Sequence, residues 1–532
     1  MNPIVDMGDT KKKLHAIYLG AILISASLTS AACEPRKTSE SQISFPAPTY
    51  IPRVIPGSDS VKVDISLPAF VPSSDEVEIA ATKAPESALL DDFGAAQAGL
   101  PPVREARREH YVYYRLQFLP DGYPGILKTD GVTAHPIYGS YLLYEYIYLH
   151  RTQGKKTTIY LDAAKRVADA TLRRMDYIEE FDALGFFYTD QDGLTYWPGR
   201  FISGLTQARY LPMFYDLYIV TGEEKYKVAA TQILNSLKIP QNEGGVMIMT
   251  PFGVAVEEYP HEIPTYVLNG WTTIILEMLR YHDKSGDQAA LDFATENIKT
   301  VEKMMPLYDY PNLLLSRYQL TGFAYMKVRF KKQRNCGISG FSTSVAGVWH
   351  DDIAGEDNRW HNFIHPKGRG EDGFAEKREQ MINVVLSRID EDRKVKVDVV
   401  CKEDDEAIFF IGNGDYMPTM SAMPTKRWIE VGRASIPVGS STVSMTFSAD
   451  NMELLGYPTN FAKEIGGIRR NVYHWLHINN LELISEFYQS DVFTHYIGKW
   501  RSYTDQWKSL PVLKDGGFDF TNPKPSEHSE EE

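Results

Sequence analysis

Hydrophobic positions recur with helical spacing from about residue 135 to about residue 310. One apolar face consists of Leu161, Ala164, Ala168, Leu172 and Met175, and a second consists of Tyr226, Ala230, Ile233, Leu234 and Leu237. Four more segments indicate helices: "PIYGSYLLYEYIYLHR", "LTQARYLPMFYDLYIVT", "GWTTIILEMLRYH" and "LDFATENIKTVEKMM". Residues three and four apart share one side of an α-helix. The pattern therefore predicts a mainly α fold, in which helical hairpins form an incomplete (α/α) toroid.

The spacing of apolar residues changes to two around residue 394. Val395, Val397 and Val399 alternate there with Lys394, Lys396 and Asp398, and the segments "AIFFIGNGDY", "RWIEVG" and "STVSMTF" follow. Such alternation is typical of β-strands with one buried face. Helical spacing returns after about 468. The chain is thus predicted to have a β-rich domain inserted at 321–468, between toroid segments at 101–320 and 469–510.

The N-terminal segment, 1–33, has the pattern of an export signal. Three lysines precede the apolar run "LHAIYLGAILISASL", and small residues follow it. The run is too short and wrongly flanked for a stable membrane span. Cys33 comes next, as in a bacterial lipoprotein processing site, although Ser30 stands where that site usually has leucine. Lipid anchoring through Cys33 and simple cleavage both remain open, and either predicts a periplasmic or cell-surface protein.

The next segment, 34–100, is rich in Ser, Pro, Thr and acidic residues, and it is predicted to be a disordered tether. The other end, 511–532, is predicted to be a solvated acidic tail. After Cys33, only Cys336 and Cys401 remain, so at most one disulfide can form within the mature chain. The chain is therefore not a disulfide scaffold.

Composition narrows the ligand class. The chain has 532 residues, 43 % hydrophobic and 24 % charged, which is an ordinary globular balance. Its formal net charge is -14, and this argues against general nucleic-acid binding, because phosphate binding relies on summed Lys and Arg charge. Any polyanionic ligand must be met by a local basic patch.

Three polar stretches interrupt the helical pattern. They are "VEEYPHEIPTYVLNGW" at 256–271, "MPLYDYPNLLLSRYQL" at 305–320 and "RRNVYHWLHIN" at 469–479. Each combines tyrosines with charged or imidazole side chains, which ordinary helix packing does not require. Taken alone, the first is also consistent with a polar loop before a helix.

Together these stretches resemble the D-glucuronyl C5-epimerase family, whose members convert D-glucuronate to L-iduronate within heparosan and heparan sulfate. The matching motifs are "EEYP", "VLNG", "PLYD", then Arg470, Tyr473, His474, His477, Ile478 and Asn479, and finally "KWRSY". Weaker resemblance extends through "SGLTQAR" and "HPIYGSYLLY". The resemblance covers roughly 135–320 and 468–505. It implies an (α/α) toroid that carries the active site and is paired with β-domains. It also implies a homodimer. The family places its β-structure before the helical domain, whereas here much of it interrupts that domain.

The resemblance also implies site residues. Glu258, Tyr259 and Tyr473 fall on catalytic positions. A further tyrosine of the family corresponds to Tyr318 if about two residues are inserted, and otherwise its position is Ser316. Residues expected to bind substrate are Asn269, Arg470, His474, Arg317, Gln207 and Arg209.

The chemistry explains why a phenol would lie among basic groups. Inverting C5 of a uronate requires a base on one face, an acid on the opposite face and donors for the carboxylate. Tyr473 beside Arg470 suits one face, and Glu258 suits the other, with Tyr259 as partner or replacement. We therefore expect two-base C5-epimerisation of a heparosan-like glycosaminoglycan without an organic cofactor. The alternatives are a polysaccharide lyase, which abstracts the same proton and then expels the C4 oxygen, and a non-catalytic glycan-binding surface lipoprotein.

Two further stretches leave alternatives open. "KVRFKKQR", 327–334, indicates either the border of a polyanion groove or an exposed face. "WHDDIAGEDNRWHNFIH", 349–365, contains His350, Asp351, Asp352, His361 and His365, but without the tight spacing of a known metal site. No metal is predicted.

Overall fold

The computed structural model describes residues 98–104, 116–128, 131–153, 158–188, 200–261, 263–311, 314–345, 347–352, 373–389, 393–413, 427–447, 463–465, 468–509 and 519–522. The predicted export signal with Cys33 lies outside these residues. So do nearly all of the predicted tether and most of the acidic tail. Those interpretations stay predictions.

Eight α-helices in the described part of the chain pair into four antiparallel hairpins. The helices are α1 (Tyr138–Gln153), α2 (Ile159–Leu172), α3 (Gly204–Thr221), α4 (Glu224–Ser236), α5 (Leu268–Ser285), α6 (Gln288–Tyr308), α7 (Val472–Phe487) and α8 (Asp491–Gln506). Within each hairpin the two helices pack together, and α1, α3, α5 and α7 contact one another in that order. This α/α arrangement confirms the predicted class. Because the helices alternate in direction, the N-termini of α1, α3, α5 and α7 lie at one end.

Polar caps define where several helices begin. Ser203 accepts a hydrogen bond from the N–H of Thr206 at the start of α3, and Asn471 does the same for His474 at the start of α7. Glycines Gly222 and Gly286 follow α3 and α5 with positive φ, which closes the last helical turn. In the described residues, no helix is both long and apolar enough to cross a membrane.

A buried carboxylate joins three of these helices at the end opposite their N-termini. Asp216 of α3 is 1 % exposed. It accepts hydrogen bonds from Arg151 at 2.7 Å and from Lys284 at 2.9 Å, which lie in the last turns of α1 and α5. Cations are favourable at helix C-termini, and hydrogen bonds between charged groups are among the strongest in proteins. The ion pairs therefore hold the row of helices together away from their N-termini.

Short antiparallel strands precede and connect the hairpins, and the sequence analysis did not anticipate them. A three-stranded sheet precedes α1 and contains β1 (Leu116–Phe118), β2 (Pro124–Lys128) and β3 (Gly131–Ala134). Two-stranded ribbons lie at the connections: β4 (Asp176–Ile178) with β5 (Ala183–Gly185), β6 (Phe187–Tyr188) with β7 (Phe201–Ile202), β8 (Met247–Thr250) with β9 (Gly253–Val256), and β10 (Asp309–Tyr310) with β11 (Leu315–Ser316). Strands of two to four residues leave too few alternations to stand out in a sequence.

The segment between the third and fourth hairpins forms two four-stranded antiparallel sheets. Its strands are β12 (Thr321–Phe330), β13 (Cys336–Val345), β14 (Val348–Asp352), β15 (Glu379–Ser387), β16 (Arg393–Cys401), β17 (Asp405–Asn413), β18 (Arg427–Ile436) and β19 (Gly439–Phe447). The orders are β15-β12-β17-β18 and β14-β13-β16-β19. One apolar cluster, separate from the core of the helices, includes residues of both sheets. A last ribbon, β20 (Lys463–Ile465) with β21 (Ile468–Arg470), leads into α7.

The two cysteines of the sheets form a disulfide. Cys336 of β13 and Cys401 of β16 are directly opposite in the antiparallel register, and their Cα atoms are 4.1 Å apart. The sequence alone left this pairing open. The disulfide cross-links neighbouring strands within one sheet and does not join the sheets to the helices.

Candidate active site

The residues predicted to carry the chemistry lie near the N-termini of α5 and α7. Glu258 and Tyr259 lie between β9 and α5, Tyr318 follows β11, and Tyr473 is in the first turn of α7. Because α5 and α7 are neighbours and begin at the same end, the fold brings these three loops together. Backbone N–H groups at helix N-termini carry partial positive charge, which suits a carboxylate or an anionic substrate.

Glu257 organises the loop that contains the first motif. Its carboxylate accepts hydrogen bonds from the N–H and hydroxyl of Thr265, at 3.0 and 2.8 Å, and from the N–H of Tyr266 at 3.0 Å. Tyr266 has a φ of 56°, a left-handed conformation that is costly for a large side chain. Its carbonyl accepts a hydrogen bond from Tyr308 at 2.8 Å. Glu257 therefore supports a strained turn and is directed away from the reacting groups.

Glu258 faces the opposite way along the same extended segment. Its carbonyl accepts a hydrogen bond from the N–H of Gly204, the first residue of α3, at 3.0 Å. Its side chain lies against Gly270 in the first turn of α5, where a Cβ would approach Oε2 to 2.5 Å. The Oε2 atom is buried and has no hydrogen-bond partner among the described residues. Only glycine leaves room for this carboxylate at the helix N-terminus.

Burial sets the proton affinity of this carboxyl group. It raises the pKa of Glu258 to about 7, with the charge of Glu257 adding to the rise. The Tyr259 hydroxyl and the Arg209 guanidinium oppose it. A group with such a pKa exchanges protons readily near neutral pH, which is what a general base or acid requires.

Tyr259 lies in an aromatic cluster. Its ring packs edge-on against Tyr188 and Phe201, with both centroid distances 6.2 Å. Burial raises the pKa of Tyr259 well above its usual value, and the nearby Glu258 carboxylate and Tyr318 hydroxyl add to the rise. A phenol in these surroundings stays protonated at neutral pH. It is therefore suited to donate a hydrogen bond or a proton.

Tyr318 and Tyr473 are in direct contact. Their ring centroids are 4.7 Å apart with an interplanar angle of 73°. The carbonyl of Tyr318 accepts a hydrogen bond from the N–H of Leu268, the first residue of α5, at 2.9 Å. The N–H of Leu320 donates to the carbonyl of Thr265 at 3.0 Å. These bonds join the loop after β11 to the loop that carries Glu258.

Three of the residues predicted to bind substrate lie near these groups. Arg209 is in α3, its guanidinium is 4.8 Å from the centroid of the Tyr141 ring, and its charge acts on Glu258. Asn269 is in the first turn of α5, and its Oδ1 atom is buried without a hydrogen-bond partner among the described residues. Arg317 is 1 % exposed and lies over the ring of Tyr310 at 4.0 Å. A role in substrate binding stays a prediction for each.

Two other predicted residues use their polar atoms within the protein. Gln207 is fully buried, donates to the carbonyl of Leu184 at 2.6 Å and to Ser236 at 2.8 Å, and accepts from the N–H of Phe186 at 3.0 Å. His474 is 1 % exposed, and both of its ring nitrogens have protein partners. These contacts favour a positioning role for both. Arg470 ends β21, and its side chain is not among those described.

Sequence reasoning missed several aromatic neighbours of the site. His135 stacks on Tyr138 at a centroid distance of 4.2 Å, and Tyr188 lies edge-on to His135 at 5.5 Å. His135 and Tyr138 lie in the weakly matching "HPIYGSYLLY" stretch, which was a usable signal. Tyr188 and its stacked neighbour Phe201 belong to the β6–β7 ribbon, for which the sequence offered none.

The basic run of β12 is paired with acidic side chains. Arg329 binds Glu379, and Lys332 binds Glu403 at 2.8 Å. Lys327 lies 4.3 Å from the centroid of the Trp428 ring. These contacts favour the exposed-face interpretation over the polyanion groove.

The sequence left one interpretation as a metal site open, at the "WHDDIAGEDNRWHNFIH" stretch. In the described part of the chain, no group of three or more His, Cys, Asp or Glu side chains is arranged to hold a metal ion. Of the "WHDDIAGEDNRWHNFIH" stretch, His361 and His365 lie outside the described residues, and the side chains of His350, Asp351 and Asp352 are not described.

The segment that contains most of the site matches a known protein family. A model of the family described as D-glucuronyl C5-epimerase C-terminus matches residues 184–332. The match supports the predicted resemblance of this part of the chain to the D-glucuronyl C5-epimerase family. The match includes Glu258, Tyr259, Asn269 and Tyr318, whereas Tyr473 lies beyond it.

One curated relative also matches. An uncharacterized protein of Methanocaldococcus jannaschii is 33 % identical over 109 residues, which is 20 % of this chain and 35 % of that protein. The chain therefore spans about a third of that relative's length. The relative's name specifies no activity.

Comparison with solved structures gives weak similarities to carbohydrate-active enzymes. An α-1,6-mannanase from Salegentibacter is 13 % identical, with a TM-score of 0.28, over 43 % of this chain and 56 % of that chain. A sugar epimerase from a ruminal bacterium is 12 % identical, with a TM-score of 0.26, over 37 % and 51 %. A cellobiose 2-epimerase from Bacillus thermoamylovorans is 13 % identical, with a TM-score of 0.28, over 40 % and 57 %. Similarity at this level carries no information about activity.

Proposed function

We propose that the protein is an isomerase that inverts C5 of D-glucuronate residues in a heparosan-like glycosaminoglycan, giving L-iduronate. The observation that carries the proposal is the Glu258 carboxyl group. It lies in the family-matched segment, has a buried and unpartnered Oε2 and has a pKa raised to about 7. A group that must accept a proton in one direction and return it in the other works best with such a pKa.

In the proposed mechanism the uronate lies with one face of C5 toward Glu258 and the other toward the phenol of Tyr473. Ionised Glu258 removes the C5 proton, and a tyrosine returns a proton from the opposite side. Reprotonation on the opposite face inverts the centre. Tyr259 or Tyr318 can replace either Glu258 or Tyr473 in this scheme. Which residue acts on which face of C5 is left open.

The carbanion formed at C5 is stabilised by delocalisation of its charge onto the uronate carboxylate, whose developing negative charge then needs hydrogen-bond or cationic donors. Arg209 of α3, whose charge acts on Glu258, and Asn269 in the first turn of α5 are the proposed cationic and amide donors to this carboxylate. Arg470 is the third proposed donor, because it immediately precedes the first turn of α7. Arginine suits a carboxylate since its fork matches the two oxygens. The scheme uses no organic cofactor.

The test is incubation with heparosan in deuterated water. Deuterium at C5 together with new iduronate supports epimerisation. An unsaturated product that absorbs in the ultraviolet identifies a lyase instead, and binding without C5 exchange identifies a glycan-binding protein. Tyr160→Phe on the outer helix α2 is a matched control for Tyr473→Phe, because it removes a hydroxyl without touching the site.

We also propose that the protein is exported and acts as a homodimer. The Cys336–Cys401 disulfide supports export, since such bonds persist mainly in oxidising compartments. Lipid anchoring is tested with a Cys33→Ser variant: a lipoprotein loses its membrane association, whereas a cleaved soluble protein is unchanged. The dimer rests on the family resemblance and is tested by sedimentation.

A further inference from the structure

A buried serine lies between two histidines directly behind the tyrosine pair. The N–H of Ser316 donates to Nδ1 of His474 at 2.9 Å, and its Oγ is 2.8 Å from the same nitrogen. The Oγ is also 2.7 Å from Nδ1 of His477. The three residues are 3 %, 1 % and 0 % exposed. Nothing in the proposed chemistry uses them.

The hydrogen positions in this cluster follow from the backbone. An amide N–H only donates, so Nδ1 of His474 must be an acceptor, and its protonated Nε2 donates to the carbonyl of Trp500 at 3.1 Å. The Ser316 hydroxyl then donates to His474 and accepts from a protonated Nδ1 of His477. His474 is therefore the neutral Nε2–H tautomer, whereas His477 carries a proton on Nδ1. Burial agrees with this, since it lowers the pKa of His474 to about 4 and that of His477 well below its usual value.

A nucleophilic role for Ser316 does not fit these contacts. The lone pair of His474 Nδ1 is shared between the backbone N–H and the hydroxyl, and burial lowers the pKa of this imidazole to about 4, so it is a poor base for an attacking serine. At 3 % exposure, the hydroxyl also lies out of reach of a polymer.

The cluster instead connects the two chain segments that carry the tyrosines. Ser316 ends β11 and comes two residues before Tyr318, whereas His474 follows Tyr473 directly in α7. The segments are 158 positions apart in sequence at the Ser316 to His474 bond. The tyrosine rings meet in an edge-on contact with centroids 4.7 Å apart, and a contact of this kind allows a broad range of geometries. The hydrogen bonds of Ser316 are directional and buried, so they restrict this geometry more tightly.

We propose that Ser316 is a positioning residue, which fixes Tyr318 and Tyr473 relative to each other by bridging His474 and His477. The expected effect of this residue on kcat rests on the proposed function. Its expected effect on the arrangement of the tyrosine rings rests on the geometry alone. The proposal also gives distinct roles to Ser316 and Tyr318. The family resemblance had left open which of these two positions corresponds to the family's further tyrosine.

Ser316→Ala removes the bridging hydroxyl and keeps the N–H bond to His474. We expect kcat to fall by a factor of about 10 to 100, because displacement of a reacting group by about 1 Å costs on the order of 10² in rate. KM should stay within about twofold, since the donors to the uronate carboxylate are untouched. Ser485→Ala is the matched control: its hydroxyl bonds only within α7, to the carbonyl of Leu481 at 2.7 Å.

A double-mutant cycle separates positioning from general stability. If Ser316 acts through the tyrosine pair, Ser316→Ala should cost much less in a Tyr473→Phe background than in the wild type. Equal losses in the two backgrounds would overturn the proposal, as would a wild-type kcat in Ser316→Ala. Thermal unfolding of each variant identifies a loss that is due to misfolding. If Ser316→Ala misfolds, Ser316→Cys replaces it in the cycle, because it keeps the side-chain size and only weakens the bridge.

A crystal structure of the Ser316→Ala or Ser316→Cys variant decides the matter independently of activity. We expect the Tyr318 and Tyr473 rings to separate or to show more than one arrangement, and an unchanged ring pair would overturn the proposal. A wild-type protein that exchanges no C5 hydrogen on any uronate polymer would sink the proposed function, but it would leave this structural comparison valid.

Discussion

Replacing Glu258 by glutamine tests how much the burial of an ionised Glu258 carboxylate destabilises the folded protein. An ordinary glutamate has a pKa of 4.5, whereas burial raises that of Glu258 to about 7. At about 1.4 kcal/mol per pKa unit, this difference corresponds to about 3 kcal/mol. Below pH 4.5 the group is protonated in the folded and unfolded chain, and it costs nothing. Above about pH 7 it is ionised in both, and folding bears the full cost of burying the charge.

The stability that depends on this group is therefore lost as pH rises from about 4.5 to about 7. Glu258→Gln has no charge to bury, so its free energy of unfolding should rise relative to wild type across that window. The gain between about pH 4.5 and about pH 8 should be on the order of 3 kcal/mol. The glutamine amide also leaves donors buried without partners, at a cost of about 1 to 3 kcal/mol that does not vary with pH. The pH-dependent part is consequently the quantity to compare.

The assay is urea unfolding of wild type and variant at several pH values, with C5 hydrogen exchange measured in parallel. Glu486→Gln on the exposed side of α7 is the control for the chemical change from glutamate to glutamine. Epimerisation should be abolished in Glu258→Gln, and C5 hydrogen exchange should fall at least as severely from one uronate epimer as from the other, because each base serves one face. A free-energy difference that is flat from about pH 4.5 to about pH 8 would refute the reasoning, because the carboxyl would then ionise without cost.

Three further predictions follow from the same contacts. Tyr473→Phe keeps the ring packing and should lower epimerisation by on the order of 10² or more with folding intact, whereas exchange near wild type would remove the phenol from the mechanism. Gly270→Ala places a methyl group 2.5 Å from the Glu258 carboxyl oxygen, so kcat should fall at least about tenfold with little loss in thermal stability; full activity would show that the carboxylate does not need this position. Changing Lys331 and Lys332 to Gln should alter KM for polymer by less than about twofold, since Lys332 already pairs with an acidic side chain, and a larger, salt-dependent rise in KM would restore the polyanion groove.

The sequence by itself determined the local features of this protein. The apolar spacing most clearly predicted α2 and α4, because each of these helices buries one face and exposes the other. Alternation predicted β16 and the strands after it for the equivalent reason. The short motifs predicted Glu258 and Tyr473 as site residues, because the residues that resemble the family lie within a few positions of each.

Only the tertiary structure decided which polar groups act on one another. Glu257 and Glu258 are adjacent and chemically identical, yet one is held by Thr265 and Tyr266 while the other lies against Gly270 with an unpartnered oxygen. The local sequence cannot predict such contacts, because they form only when the N-termini of separate helices come together at one end of the fold.

The same limit applies to the ambiguity at the second tyrosine. Ser316 and Tyr318 differ by two positions in a loop, and sequence spacing gave no means to choose between them. In the folded chain, Ser316 is buried against His474 and Tyr318 touches Tyr473, both from a helix more than 150 residues away. Burial and directional hydrogen bonds across that separation distinguish the surroundings of the two residues, and neither is encoded in the spacing of a single segment.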